Sequence, residues 1–345
     1  KLDYPRTEKT KEPSFTQNWL SNNKNKIAQL IVQAREVNKF HGTFLSSIMK
    51  YQVNGRIHGE IQQLRSDSGG TVSGRLSMSN PNLQQVPARN KDFGPKIRSL
   101  FIPEEGYKWG SFDYSQQEPR MTVHYAASIG DGYEGSNELV EAYHNTEADF
   151  HQTVADLVGI ERSQAKTIGL GLMYGMGKNK LALSLGVSKD EADKLIVKYN
   201  NKVPFVKKLS DRCKFAADEK GVIRTKKGRK CRFDLWETKD FGLHVAEKFD
   251  DAVAKYGKDN IKRAYTYKAL NRLIQGSSAD QTKQAMLDCY NQGHLPMLQI
   301  HDELCFNIKD DAHANEIKKI MENAIEFKVP SVVDKGIGES WGDAK

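Results

Sequence analysis

The chain has 345 residues and a formal net charge of +8. That length supports two or three subdomains around a sizeable core, and the positive excess suits a polyanionic partner. No apolar run approaches membrane-spanning length, which sets an integral membrane protein aside. Cys213, Cys231, Cys289 and Cys305 lack metal-ligand spacing and read as reduced thiols of an intracellular protein.

Along the chain, residues 1–50 are polar and basic. A helix is predicted over about Ser21 to Val37, with Ile27, Leu30, Ile31 and Ala34 as its apolar face. Ser66 to Val86 is rich in Gly, Ser and Asn, too polar for core and too rich in amides for a mere linker. Pro103-Glu104-Glu105-Gly106 signals a turn, and Tyr107 to Phe112 then reads as a strand ending at Asp113. Residues 137–220 are mostly helical, with lysine-rich faces. Thr225 to Lys230 reads as a basic turn between short strands. Helix is expected again over 245–290 and from Ala312 to Glu326, with β structure over Leu295 to Ile308. Helices between separated antiparallel strands predict an α+β fold. The chain opens on Lys1 without a signal peptide and reads as a fragment or processed form.

His301-Asp302-Glu303 interrupts the apolar run Leu298–Ile308. If one strand continues through it, Asp302 shares a face with Leu298, Ile300, Leu304, Phe306 and Ile308, where a carboxylate is costly without a cation. The alternative is a hairpin turn that resets the phase and turns the charges to water. Asp113 closes the earlier strand, beside a helix that Pro119 places near Gln116 to Glu118. A helix cap would explain Asp113 alone. As a pair, Asp113 and Asp302 suit divalent ions, since Mg²⁺ takes one or two carboxylates plus substrate phosphates.

Arg162, Lys166, Leu170 and Tyr174 recur every fourth residue and form one slanting helical stripe. Cations, an apolar residue and a ring in that order suit a nucleoside triphosphate; a solvated basic face is the plainer reading of Arg162 and Lys166 alone. Gly169, Gly171 and Gly175 would each cost about 1 kcal/mol in a helix interior, which suggests close packing there, the alternative being that the helix breaks. Arg75, Asn82, Gln84, Asn271 and Gln275 can donate to minor-groove acceptors common to every base pair, although each alone also suits an ordinary polar loop or helix face.

Asp113-Tyr114-Ser115-Gln116 with Glu118 and Arg120, Arg162-x-x-x-Lys166 continuing to Tyr174-Gly175, and Gln299-Ile300-His301-Asp302-Glu303 resemble the three catalytic motifs of the DNA polymerase I family (family A). Gly74-Arg75-Leu76-Ser77 with Pro81-Asn82-Leu83-Gln84, and Gln275-Gly276 with Ala279-Asp280, are similar to further family signatures. The resemblance runs in order from Arg75 to Trp341. It implies a right-hand polymerase fold, with a partial thumb over 1–50, palm over 51–125 and 267–345, and helical fingers over 126–266. It further implies that Asp113 and Asp302 hold two Mg²⁺ ions, Mn²⁺ serving as a substitute, with the Tyr114 carbonyl assisting and Glu303 in support. Arg89, Gln116, His151, Arg162 and Lys166 would hold the dNTP, Lys166 being the proton donor to pyrophosphate. Glu118 would gate the sugar, Leu170 would govern sugar discrimination, and Tyr174 would stack near the nascent pair. Arg75, Asn82, Gln84, Asn271, Gln275 and His301 would line the primer-template.

There are departures from the family pattern. Leu170 replaces Phe or Tyr, Gln117 and Pro119 replace apolar residues, Tyr267 stands where arginine is common, and Trp236 to Tyr265 lacks a counterpart. These point to a phage-like member. The expectation is therefore a DNA-directed DNA polymerase, a monomer of the host cytoplasm in phage DNA replication, with a replisome or processivity partner and no exonuclease domain in this chain. A single-subunit RNA polymerase would prefer rNTPs, a metal-dependent nuclease would leave the Arg162–Tyr174 stripe unexplained, and a silent DNA-binding module would bind without extending.

Overall fold

The computed structural model describes residues 4–7, 10–66, 69–87, 90, 92–145, 149–240, 242 and 244–344. Four strands position the site: β1 (Lys108–Tyr114), β2 (Leu298–Ile300), β3 (Glu303–Ile308) and β4 (Val333–Gly338). They pair antiparallel in the order β2-β3-β1-β4. The helices used below are α1 (Gln117–Ala127), α2 (Phe150–Val158), α3 (Arg162–Met173), α4 (Ala269–Asn291) and α5 (Asp311–Glu322).

Side chains alternate across the sheet because successive Cβ atoms point to opposite faces. Phe112 and Tyr114 of β1, Leu304, Phe306 and Ile308 of β3, and Val333 of β4 form one buried cluster with Ala285 and Cys289 of α4 and Ala314, Ile317 and Met321 of α5. The Tyr114 hydroxyl donates to the Met321 carbonyl at 2.7 Å, which satisfies that buried polar atom. Trp109 and Cys305 face the other way, into a cluster with Leu298, Ile300, Trp341, Phe40, Phe44 and Ile48.

β2 and β3 form a hairpin rather than one strand. Ile300 pairs with Glu303, leaving His301 and Asp302 as a two-residue turn, and His301 has φ +56°, as tight hairpins require. The turn resets the phase, so Leu298 and Ile300 lie on the opposite face from Leu304, Phe306 and Ile308. Asp302 therefore belongs to the turn and not to an apolar strand face. It is nonetheless only partly exposed, so the turn does not hand its charge fully to water.

Between residues 136 and 220 lies a helical unit packed around Val154, Ile168, Leu181, Tyr199, Phe205 and Leu209. Asp149 caps α2 by accepting from the backbone N–H groups of His151 and Gln152, and Glu161 opens α3 with a reciprocal capping box to Gln164. A Cβ at Gly169 would lie 3.1 Å from the hydroxyl of buried Tyr199, so the glycine admits the helix Lys189–Lys202 against α3. Gly171 is similarly confined by Met176, and Gly175, at φ +69°, by Tyr267.

Two sequence expectations are corrected. The first long helix runs Lys26–Lys39, after a separate turn at Gln17–Ser21. Its predicted apolar face is exposed, Ile27 at 67% and Leu30 at 52%, because periodicity reports a stripe and not what covers it. The 245–290 stretch is not continuous helix. Trp236–Thr238 and Ile261–Arg263 pair antiparallel around a short helix Phe249–Tyr256, and long helix begins only at Ala269. The Arg263 guanidinium lies 4.6 Å from the Trp236 ring centre, a cross-strand contact invisible to local periodicity.

Candidate active site

Asp113 stands directly opposite Glu303 on one neighbouring strand and Asp334 on the other. All three project from the sheet face that α4 and α5 leave uncovered, and Asp302 lies in the adjoining turn. Like charges directly opposite one another in a sheet are destabilising. Burial, then Asp302, Glu303 and Asp334, push the Asp113 carboxyl up to about 7, although part of its surface meets solvent. Burial raises Asp302 as well, against the pull of its own backbone N–H, Arg75 and His301.

The row is braced from behind. The Tyr114 N–H donates to the Asp302 carbonyl at 3.4 Å. Gln299 donates to the His301 carbonyl at 2.6 Å and accepts from Gln84 at 2.9 Å, so Gln84 fixes the hairpin turn from inside the protein. The Trp341 indole N–H donates to Glu303 at 3.2 Å.

Above the row lies buried Glu118, in the first turn of α1. Arg75 pairs with its Oε1 at 2.6 Å, and the Tyr174 hydroxyl donates to its Oε2. Burial, then the Glu118 charge, push the Tyr174 phenol up. Gln117 donates within the buried seam between α1 and α4 to Gln281 at 3.0 Å, so its polarity is satisfied there.

His151, Arg162 and Lys166 form a second group, on the packed pair α2 and α3. Arg162 gives Nε and Nη2 to Asp149 Oδ2, at 2.7 and 2.6 Å. Burial opposes ionisation of Asp149, but Arg162 and the capped N–H groups outweigh it and hold the carboxyl below its usual range. Burial lowers His151 to about 4; Asp149 opposes this, and Lys166 and Arg162 add to it. Its Nδ1 is buried with no hydrogen-bond partner among the described residues. Lys166 is exposed one turn beyond Arg162, and Leu170 is half-buried against the helical core. Tyr174 is the residue that ends α3 rather than a member of it. Gln116, at φ +51°, accepts from the Phe150 N–H at 2.9 Å, which ties the end of β1 to the helix bearing His151.

Of the remaining sequence-derived residues, Asn82 caps a short turn by accepting from the Gln84 N–H. Asn271 and Gln275 lie one turn apart on α4, and Gln275 shares a hydrogen bond with Tyr174. His301 is exposed at the turn. Arg89 lies outside the described residues. Asp149 and Asp334 were not singled out as site residues. Asp149 shows in sequence only as a helix-capping pattern, and Asp334 depends on a strand pairing that no local signal carries.

No group of three or more His, Cys, Asp or Glu among the described residues closes into a metal cage. The donor set instead fits hard divalent cations held partly by substrate phosphates. Carboxylates crowd one sheet face, and Asp113 is raised first by burial and then by its acidic neighbours, whose charge a cation would offset.

The sequence model of DNA polymerase family A matches residues 1–343. A DNA-directed DNA polymerase of Pseudomonas phage M6 is 39% identical over 96% of this chain, and the match covers 54% of that protein. A thermostable DNA polymerase I of Thermus filiformis is 31% identical over 99% of the chain and 39% of its own length. The chain thus spans about half, or less, of the relatives it matches. Among solved structures, the POL domain of Pol1 from M. smegmatis, in complex with DNA primer-template and dNTP, superposes with a TM-score of 0.79 at 27% identity. That match covers 99% of this chain and 59% of the other.

Proposed function

Because the chain belongs to DNA polymerase family A, we infer that it extends a DNA primer with dNTPs on a template strand. The carboxylate row of Glu303, Asp113 and Asp334 beside Asp302 carries this reading. The primer 3′-oxygen forms its bond to the α-phosphorus as the bond to the bridging oxygen breaks and pyrophosphate leaves. Asp113, Asp302 and the Tyr114 carbonyl would hold the divalent ions, Mg²⁺ or Mn²⁺, with Glu303 in support. Once bound, those ions would acidify the attacking hydroxyl and offset the charge of the leaving group.

Arg162, Lys166 and His151 would receive the triphosphate. Burial holds the His151 imidazole low before substrate arrives, and the triphosphate would pull it back up, while Lys166 would return a proton to pyrophosphate. Glu118, fixed by Arg75 and Tyr174, would occupy the space of a ribose 2′-hydroxyl. Arg75, Asn82, Asn271, Gln275 and His301 would face the primer-template. Gln84 would act at one remove, since its amide holds Gln299. In this reading 1–50 is the base of a thumb, 51–125 and 267–345 the palm, and 126–266 the fingers. The enzyme would be monomeric and serve phage replication in the host cytoplasm, alongside a processivity partner. Among the described residues no helix is long and apolar enough to cross a membrane.

The deciding experiment is Mg²⁺-dependent primer extension with dNTPs and rNTPs in parallel, beside Asp302→Asn. Extension with dNTPs alone, lost in the variant while DNA binding persists, supports the reading. Equal activity in the variant refutes the metal assignment.

A further inference from the structure

A basic hairpin, Val222–Arg224 paired with Lys230–Arg232, lies against α4 and carries none of the groups assigned above to DNA or dNTP. Its turn is closed by the backbone. The Thr225 N–H donates to the Arg229 carbonyl at 3.1 Å, and the Gly228 N–H to the Thr225 carbonyl at 2.9 Å. The side chains of Thr225 and Arg229 reach out of the turn to α4. Arg229 gives Nε and Nη2 to Asp280 Oδ1, each at 2.6 Å, and the Thr225 hydroxyl donates to Asp280 Oδ2 at 2.6 Å. Both carboxylate oxygens are thus taken, on a side chain only 7% exposed. Such a pair is weak evidence for stability, because desolvation offsets the attraction. What two donors on one fixed oxygen do supply is orientation of the guanidinium plane.

That guanidinium faces Gly74. A Cβ at Gly74 would lie 2.6 Å from Arg229 Nη1 and 2.7 Å from its Cζ, and the glycine stands at φ +84°, a region that side chains disfavour. The backbone therefore passes directly against the guanidinium, one residue before Arg75. From the other side α4 closes on the same segment. A Cβ at Gly276 would lie 3.2 Å from Thr225 Cγ2 and 3.4 Å from the carbonyl oxygen of buried Ser73. The Thr71 hydroxyl donates to the Arg75 carbonyl at 2.8 Å. With its backbone held on both sides, Arg75 sends its side chain to Glu118 Oε1 at 2.6 Å.

We propose that Arg229, held by Asp280, is a positioning residue for sugar selection: it sets where Arg75 stands, and Arg75 sets the direction of the Glu118 carboxylate. The contacts run from Asp280 through Arg229, Gly74 and Arg75 to Glu118, and only Glu118 approaches the place of a 2′-hydroxyl. Lysine at position 229 would keep the charge, but it has no plane to lay on Gly74 and no second donor nitrogen. The effect on the sugar rests on the polymerase reading, whereas the hold on Arg75 does not.

Two measurements on Arg229→Lys test it. Hydrogen exchange read by mass spectrometry should be faster than in wild type over residues 70–77 and unchanged over α2. In primer extension the preference for dNTP over rNTP should fall about tenfold, within what a displacement of under about 1 Å can cost. The Glu118→Ala background separates positioning from general loosening. There Arg229→Lys should change selectivity no further, since the group it positions is gone. Gly74→Ala pushes on the same contact from the opposite side and should reproduce both effects. Unchanged exchange over 70–77 overturns the proposal. So does unchanged selectivity in an active Arg229→Lys variant, or an equal further loss of selectivity in the Glu118→Ala background. If wild type extends no primer, the polymerase reading fails and takes the sugar role with it, while the exchange result still decides whether Arg229 holds Arg75.

Discussion

Arg162 and Asp149 are joined through a single carboxylate oxygen, with Nε at 2.7 Å and Nη2 at 2.6 Å. The same aspartate caps α2, the helix that carries His151. One side chain therefore sets the relative placement of two groups assigned to the triphosphate. Asp149→Asn keeps an oxygen for the cap and removes the charge. It should raise the dNTP KM about tenfold, ~1.4 kcal/mol, by loosening the two hydrogen bonds that hold Arg162 in place, with kcat little changed. Steady-state kinetics separate this from a catalytic role, in which kcat would fall instead.

Glu118 holds Arg75 on one oxygen and Tyr174 on the other. Glu118→Ala should admit ribonucleotides, because it removes the bulk that would meet a 2′-hydroxyl. It should also slow dNTP addition, because Arg75 loses its ion-pair partner and Tyr174 its acceptor. Glu118→Gln keeps the bulk and should keep sugar selection. A competition assay between dNTP and rNTP, giving the same selectivity for both variants and wild type, would remove Glu118 from that role.

Buried His124 and His151 both titrate near 4, His124 because of burial first and then Lys226 and Lys328. The unfolded chain takes up these protons near the ordinary histidine value of about 6.5. Their contribution to stability is complete above that value and is lost as pH falls toward 4, on the order of 3 kcal/mol for each as an upper bound. Asp113 and Asp302, both raised, act in the opposite direction, so the histidine effect is read as a difference. Urea unfolding of wild type and His124→Gln should show a smaller loss between pH 7 and pH 4.5 in the variant.

Gly169→Ala sets a helix gain of about 1 kcal/mol against the 3.1 Å approach to the Tyr199 hydroxyl. The Tyr199 ring is fully buried and cannot step aside. Overpacking of this kind costs roughly 1–3 kcal/mol, so the variant should be net destabilised. A gain in the denaturation midpoint would mean that the helices separate more easily than their packing implies.

Much of the site was legible because its residues lie in short local patterns. Asp113 near a strand end, Pro119 in the turn of helix that follows, and the four-residue spacing of Arg162, Lys166 and Leu170 on one helix all survive folding, while Tyr174 ends that helix. The packing argument held for Gly169 and Gly171, which meet Tyr199 and Met176, whereas Gly175 lies past the helix end at φ +69°, where the helix breaks. What was hidden depends on partners far away in sequence. Asp334 joins Asp113 only through the pairing of β4 with β1, and Gln84 meets Gln299 across the whole intervening chain. The hairpin at His301 and Asp302 was undecided in sequence because apolar residues flank it on both sides in either phase. The exposed face of Lys26–Lys39 was misread because a stripe carries no information about its cover.

The Trp341 indole donates to Glu303, stacks 6.1 Å from Trp109 and lies 4.6 Å beneath the Arg98 guanidinium. An indole so placed sits inside the electric field of the carboxylate row. Positive charge arriving there changes that field along the ring, and indole emission follows the field. Cation binding at the proposed site should therefore change Trp341 emission without a label or a turnover, read against Trp341→Phe because three other tryptophans also emit.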